Sequence, residues 1–491
     1  MVMVKMEPLN IERRKPLEAN VGIVGVGFYR YWSQFEGLLS RMHAKQDHFS
    51  QRVQAYGVKV VDFGLIDDSK TAYAALAKIR QANLDLLFVD MVTYATSATF
   101  APLIQGLDIP IVLVVLQPDI AMDYVHASTF LQLTNDDFCS VPEFANVAVR
   151  MGKRVPDIIL GYEAGDAIAE AEIAEWCQIA KVLHDLKTAR IGLMGHVLEA
   201  MYDMHTDPTL ITRTFGCHVV QCEPDELIPL YRQVNRAEIE GMQARILSFF
   251  STPDPVADAI TFRLKNEDLY IAAKVAVALE RFAREKDLTG LAYYYEGEAG
   301  SEMQQLVTNF AVGNSLLIAA GFPMCGEFDL KTCLGMLIMD RLEIGGSFAE
   351  FHPLDFKRGS VLVGHDGPHH LNIAAGQPVL RSLGVYHGKP GSGAGVEFKI
   401  KEGPLSMLSV TVNEHGRIKF VIAEGESLQG EIPATGNTNS HGYFKPDLRT
   451  FLRRWVAEGP THHFSLGIGH HGKTLQKIAG VLGIEAVMVT A

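Results

Sequence analysis

Four continuous apolar runs near the start of the chain constrain its fold more than any other feature. They are "VGIVGVG" (21–27), "VKVVDFG" (58–64), "LDLLFVD" (84–90) and "IPIVLVVLQ" (109–117). They are rich in β-branched residues and do not alternate with polar ones. Such strands are apolar on both faces, so both faces must be covered, as in a parallel sheet between helices. Amphipathic stretches lie between them, such as "WSQFEGLLSRMHAKQ" (32–46) and "KTAYAALAKIRQAN" (70–83). The alternation predicts a doubly wound α/β domain over 1–187. It restarts with "ARIGLMG" (189–195), "CHVVQCEP" (217–224) and "LTGLAYYYE" (288–296), with long helices expected at 226–249 and 265–285. This predicts a second α/β domain over 188–322. After 359 the rhythm changes. "SVLVGHD", "GVEFKI", "LSMLSVTV" and "IKFVIAEGE" are short runs between Gly- and Pro-rich turns. They predict a mostly antiparallel β, barrel-like third domain over 323–491.

Charge and cysteine use narrow the function. The formal net charge is −13, and no basic stripe reverses it locally, so neither nucleic acid nor an anionic membrane is expected as a partner. Six cysteines without a CxxC pair read as reduced, mostly buried thiols of a cytoplasmic protein. No apolar run reaches the ~18 residues of a membrane span. The first twenty residues mix acids, bases and prolines and lack the apolar centre of a signal peptide. "GVGFYR" (25–30) follows a strand, but Arg30 stands where a dinucleotide loop has its third glycine. A tight strand-to-helix turn explains it better, and no nucleotide cofactor is expected.

Eleven of the 18 histidines lie at or after His352. "GHDGPHH" (364–370) and "GIGHH" (467–471) place imidazoles beside glycines, which allow close backbone approach to a ligand. The pair His462–His463 has no such setting. Two acids add context. Glu327 in "CGEFDLKT" precedes a predicted helix, and Glu350 in "GGSFAEFHP" follows it. Capping by Glu327 or Asp329 accounts for an acid at the helix start. It does not account for Glu350, which stands in an apolar stretch.

In order along the chain, "GEFDLKT", "GGSFAEF", "GH" and "GIGHH" resemble the L-arabinose isomerase family. The resemblance implies a sugar isomerase with Mn²⁺, or another divalent metal, held by Glu327, Glu350, His365 and His471. It makes Glu327 and Glu350 the catalytic acid and base as well. Gln117, Tyr295 and His470 are expected to face the sugar, as is Phe28, which stands where the family has a polar side chain. Trimers or hexamers built from the one chain are implied by the same analogy. The residue types suit the chemistry. Aldose–ketose isomerisation moves protons between C1 and C2 and between O1 and O2. A divalent ion stabilises the enediolate, and two carboxylates can exchange the protons. The same set would also serve a metal-dependent epimerase or lyase. A non-catalytic sugar-binding protein of two α/β lobes is a third reading, though it leaves the glutamates and histidines unexplained.

Overall fold

The computed structural model describes residues 11–155, 157–198, 200–252, 264–367, 369–382, 385–386, 389–390, 393–433 and 437–490. The chain forms two compact units. One is Leu17–Asp185; the other runs from Leu186 onward and takes in the segment before Leu17.

The first unit is a five-stranded parallel sheet. Its order is Lys59–Ile66, Asn20–Val26, Leu86–Asp90, Ile111–Gln117, Asp157–Tyr162. Every residue of Leu86–Asp90 is buried, as continuous apolar patterning requires. The helix Ser69–Gln81 starts at a capping box between Asp68 and Thr71 and buries Ala72, Ala75, Leu76 and Ile79 on one face. The helix expected over 32–46 instead spans Leu38–Gln54. Gly37 has φ +82°, a left-handed conformation that no helix interior accepts, and residues Tyr29–Tyr31 form a 3-10 turn.

The second unit begins with a parallel sheet ordered His218–Cys222, Arg190–Met194, Gly290–Tyr293, Met324–Cys325. The expected helix 226–249 is broken into Leu227–Arg232 and Arg236–Phe249, because Asn235 caps a fresh helix through a box with Glu238. An antiparallel barrel follows. Its strands run Gly403–Val412, Phe464–Ile468, Gly345–Asp355, Ser360–His365, Thr438–Tyr443 and Ile418–Leu428, which pairs again with Gly403–Val412. Closure leaves these six strands no free edge except where Glu485–Met488 adds in parallel.

The helix Leu330–Arg341 joins sheet to barrel. All twelve of its residues are buried. It packs on Gly290–Tyr293 of the parallel sheet and on three barrel strands, so both elements share one unit. Gly346 makes this close packing possible. It has φ +103°, and a Cβ there would lie 2.5 Å from the Met336 carbonyl oxygen. At the far end of the helix, buried Asp340 takes a salt bridge from Arg13 at 2.6 Å and a contact from His370 Nε2 at 3.2 Å.

Candidate functional site

The two glutamates arrive by different routes. Met324–Cys325 ends the parallel sheet, and Glu327 and Phe328 follow with φ of +58° and +61°. Two consecutive non-glycine residues in the left-handed region store on the order of 1–3 kcal/mol each. The loop is pinned by the Phe328 N–H donating to the Tyr293 carbonyl at 2.9 Å, and by Asp329 capping the next helix through Thr332. Glu350 lies within the strand Gly345–Asp355 rather than on a loop after the helix.

Strand register brings the other groups to Glu350. Glu350 is opposite Gly364, so His365 is next to it on the neighbouring strand. On the other side Ala349 is opposite Phe464, which puts His463 level with Glu350. Two groups of metal-competent side chains result, Glu350–His365–His463 and Glu327–His462–His463, with ligand atoms of each group within 4.8 Å of one another. His365 Nε2 lies 3.8 Å from Glu327 Oε1 and 3.7 Å from Glu350 Oε1. His463 Nε2 lies 3.5 Å from Glu327 Oε2. The Phe348 ring floors the cluster, 4.4 Å from the His365 ring and 4.3 Å from that of His463.

The electrostatics suit a cation. Burial pushes His365 well below its ordinary value, so its ring is neutral. Burial alone would raise Asp329, but the His463 hydrogen bond and the Lys331 charge hold it down, to about 2. As a carboxylate, Asp329 can only accept, so His463 Nδ1 donates to it at 3.1 Å. In its neutral form His463 then turns the Nε2 lone pair to Glu327, 3.5 Å away. Among the described residues, His463 Nε2 and Glu327 Oε2 are buried without a hydrogen-bond partner. Buried acceptors without donors carry a desolvation penalty that a bound cation removes. A carboxylate fixing the far nitrogen of a histidine is the usual support of a metal ligand. The residues present therefore fit a divalent metal.

His471 is elsewhere. It precedes the helix Gly472–Val481, and its N–H donates to Ser406 Oγ at 2.9 Å. It sits beyond the opposite end of the strand Phe464–Ile468 from His463. At ~3.3 Å per residue that strand holds the two ends on the order of 20 Å apart. The pair that meets the glutamates is His462–His463, and His471 does not join them. His470 keeps to that far end too, with Nε2 3.1 Å from the Gly425 carbonyl oxygen. The remaining histidines of "GHDGPHH" hold the fold. His369 bonds Ser347 at 3.1 Å and the His365 carbonyl at 2.6 Å, and burial lowers it to about 4.

Of the other expected sugar contacts, Tyr295 is half-buried beside Tyr294, ring centroids 5.8 Å apart. Phe28 and Gln117 belong to the first unit, at the carboxyl ends of parallel strands, where ligands of such sheets bind. Phe28 packs edge-on against Tyr29, Tyr31 and Tyr94 at 5.4, 5.2 and 6.0 Å. Gln117 Nε2 donates to the Asp119 carbonyl at 2.6 Å. The sequence reading missed Asp329 as the partner of His463, Phe348 as the floor, and Asp203, which bonds His462 Nδ1 at 2.7 Å. The signal available for His463 was a histidine pair directly before the apolar run "FSLGI".

The sequence is similar to those of known isomerases. The family model described as "L-fucose isomerase, C-terminal domain" matches residues 356–489. An L-arabinose isomerase of Nocardioides sp. is 25% identical over 441 residues, covering 86% of this chain and 85% of its own. That of Aeromonas salmonicida is 24% identical, covering 71% of this chain and 69% of its own. That of Bacillus subtilis is 22% identical with the same coverage. A solved C2-type ketoreductase from a modular polyketide synthase superposes with a TM-score of 0.20 at 10% identity, covering 64% of this chain and 82% of its own, which says nothing about fold or function. The C-terminal match and the long alignments make the chain similar to L-fucose isomerases over 356–489 and to L-arabinose isomerases over most of its length.

Proposed function

We propose that the protein is a divalent-metal-dependent aldose–ketose isomerase acting on a small sugar through an enediol. The observation that carries this is a pair of overlapping groups, Glu350–His365–His463 and Glu327–His462–His463, with His463 Nε2 and Glu327 Oε2 buried and outside any hydrogen bond. Glu327, Glu350, His365 and His463 would hold the metal, with Mn²⁺ favoured by the mix of carboxylate and imidazole. When bound, it supplies Lewis-acid stabilisation of the charge that develops on the sugar oxygens.

The chain's own groups do the rest. Phe348 and the buried rings keep the inner side of the site dry, which strengthens its electrostatics. Glu350, with a side chain 22% exposed, can take a proton from one sugar carbon and return it to the next. Glu327, at 12%, can serve the oxygens. The reverse assignment uses the same positions.

The test is turnover of pentoses, hexoses, tetroses and deoxy sugars with added Mn²⁺, followed by NMR. Ketose formation that stops on chelation and returns with Mn²⁺ is expected. An epimer or a cleaved product would replace the isomerase reading. Full activity in metal-free protein would end the metal-dependent one.

A further inference from the structure

The parallel sheet of the second unit reverses its strand order once. From Arg190–Met194 the chain crosses to His218–Cys222 on one side. It then returns to Gly290–Tyr293 on the other side and continues outward to Met324–Cys325. At such a reversal the loops after two neighbouring strands part in opposite directions, and ligands bind in the crevice they leave at the carboxyl ends. Here the crevice is a cavity of about 430 Å³, a size suited to a small molecule. Gly195 and His196 line it from one strand end, and Tyr294, Gly297 and Glu298 from the other. None of the residues in the two candidate metal groups lines it.

Close backbone approach builds its wall. Gly195 has φ +93°, and a Cβ there would lie 2.8 Å from the Tyr294 Cβ. The chain can therefore pass against Tyr294, and the His196 ring lies over the Tyr294 ring, with centroids 4.1 Å apart and planes at 30°. Both rings are tethered. The Tyr294 hydroxyl donates to Glu296 at 3.0 Å, and His196 Nδ1 lies 2.9 Å from the Val197 carbonyl oxygen. Met194, Met303 and Val307, all buried, make an apolar floor.

The charge of the lining is one-sided. Asp225 and Glu298 are exposed carboxylates at its edge. Neighbouring acids are neutralised, Glu226 by Lys286 and Glu302 by Arg232, but among the described residues no base pairs with Asp225 or Glu298. No lysine or arginine is among the described residues that line the cavity. Unpaired carboxylates and aromatic faces both attract cations and repel anions such as phosphate. We propose that this cavity binds a small organic cation, a protonated amine with an apolar part. Its ammonium group faces Asp225 and Glu298, and its apolar part rests on the Tyr294 ring and the floor. The site is separate from the candidate metal centre, and the inference does not depend on the isomerase reading.

The experiment follows ligand binding to the full-length protein by NMR, in phosphate buffer at about pH 8, where amines are protonated and imidazoles mostly neutral. The probes are benzylammonium and benzyl alcohol, alike in size and different in charge. Benzylammonium should saturate one site and bind about tenfold or more tighter than benzyl alcohol. The double variant Asp225→Asn, Glu298→Gln should lose that preference while keeping the Tm of the unmodified protein, since both side chains are exposed. Tyr294→Ala should weaken both probes about threefold or more. The proposal is overturned if benzylammonium does not saturate, if the unmodified protein binds the two probes equally, or if the double variant keeps the preference. Displacement of benzylammonium by L-arabinose also overturns it, because the cavity would then belong to the sugar site.

Discussion

Replacing Asp329 by Asn tests whether a buried hydrogen bond, not just the ligand set, makes the proposed metal site. Asp329 is fully buried and accepts from the Thr332 N–H at 3.0 Å, the Thr332 hydroxyl at 2.8 Å and His463 Nδ1 at 3.1 Å. Asn keeps one oxygen. If that oxygen stays on the Thr332 N–H, the amide NH₂ faces the His463 N–H. His463 must then move its proton to Nε2, the atom turned to Glu327. If the amide flips, the Thr332 N–H is orphaned instead. Either way a charge-assisted bond worth about 1.5–3 kcal/mol is lost. Losing such a support typically weakens metal affinity 10–100-fold.

The assay is Mn²⁺ titration by electron paramagnetic resonance, alongside thermal unfolding with and without Mn²⁺. At Mn²⁺ about 100-fold above the Kd, the unmodified protein gains about 2.7 kcal/mol from the ion. A variant ~30-fold weaker gains about 0.9 kcal/mol at the same concentration. The Mn²⁺-induced rise in Tm should shrink accordingly. Asp329→Asn binding Mn²⁺ as tightly as the unmodified protein, with the same rise in Tm, would refute the reasoning.

Other perturbations separate the remaining claims. His463→Ala should abolish stoichiometric Mn²⁺ binding while His471→Ala retains it; retention by the first and loss by the second would restore His471 as the ligand. Metal-replete Glu327→Gln and Glu350→Gln should each turn over about 10²–10⁴-fold more slowly, and near-normal kcat in either removes that residue from the proton path. In the first unit, burial raises Asp90 to about 7 despite the charge of Lys45. Its unfolded value is near 3.9, so the unfolded state sheds the proton first, and stability falls as pH rises from about 4 to 7. Asp90→Asn should remove that fall and stabilise the protein at pH 8 by up to about 4 kcal/mol; denaturation midpoints at pH 5 and 8 measure it, and an unchanged pH dependence contradicts the assignment. Gly346→Ala would push a Cβ into the Met336 carbonyl and should destabilise by about 2–4 kcal/mol, seen as a lowered denaturation midpoint.

The sequence by itself determined the layered α/β and β architecture, because strand burial is written in local apolar runs. It also singled out Glu327, Glu350 and His365, and the structure brings His365 Nε2 within 3.8 Å of one glutamate and 3.7 Å of the other. Helix boundaries were less legible. Gly37 and the Asn235 cap act through backbone conformation, which periodicity does not register. The left-handed Glu327–Phe328 pair is invisible for the same reason, since nothing in either side chain favours it.

Only the tertiary structure decided which histidine pair meets the glutamates. Two His-His pairs flank one short strand, and composition cannot rank them. The antiparallel pairing of Ala349 with Phe464 carries His463 to Glu350 and leaves His471 at the other end. Register is a non-local property: side chains far apart in sequence meet because backbone hydrogen bonds align two strands, and a single chain read along its length does not contain that alignment.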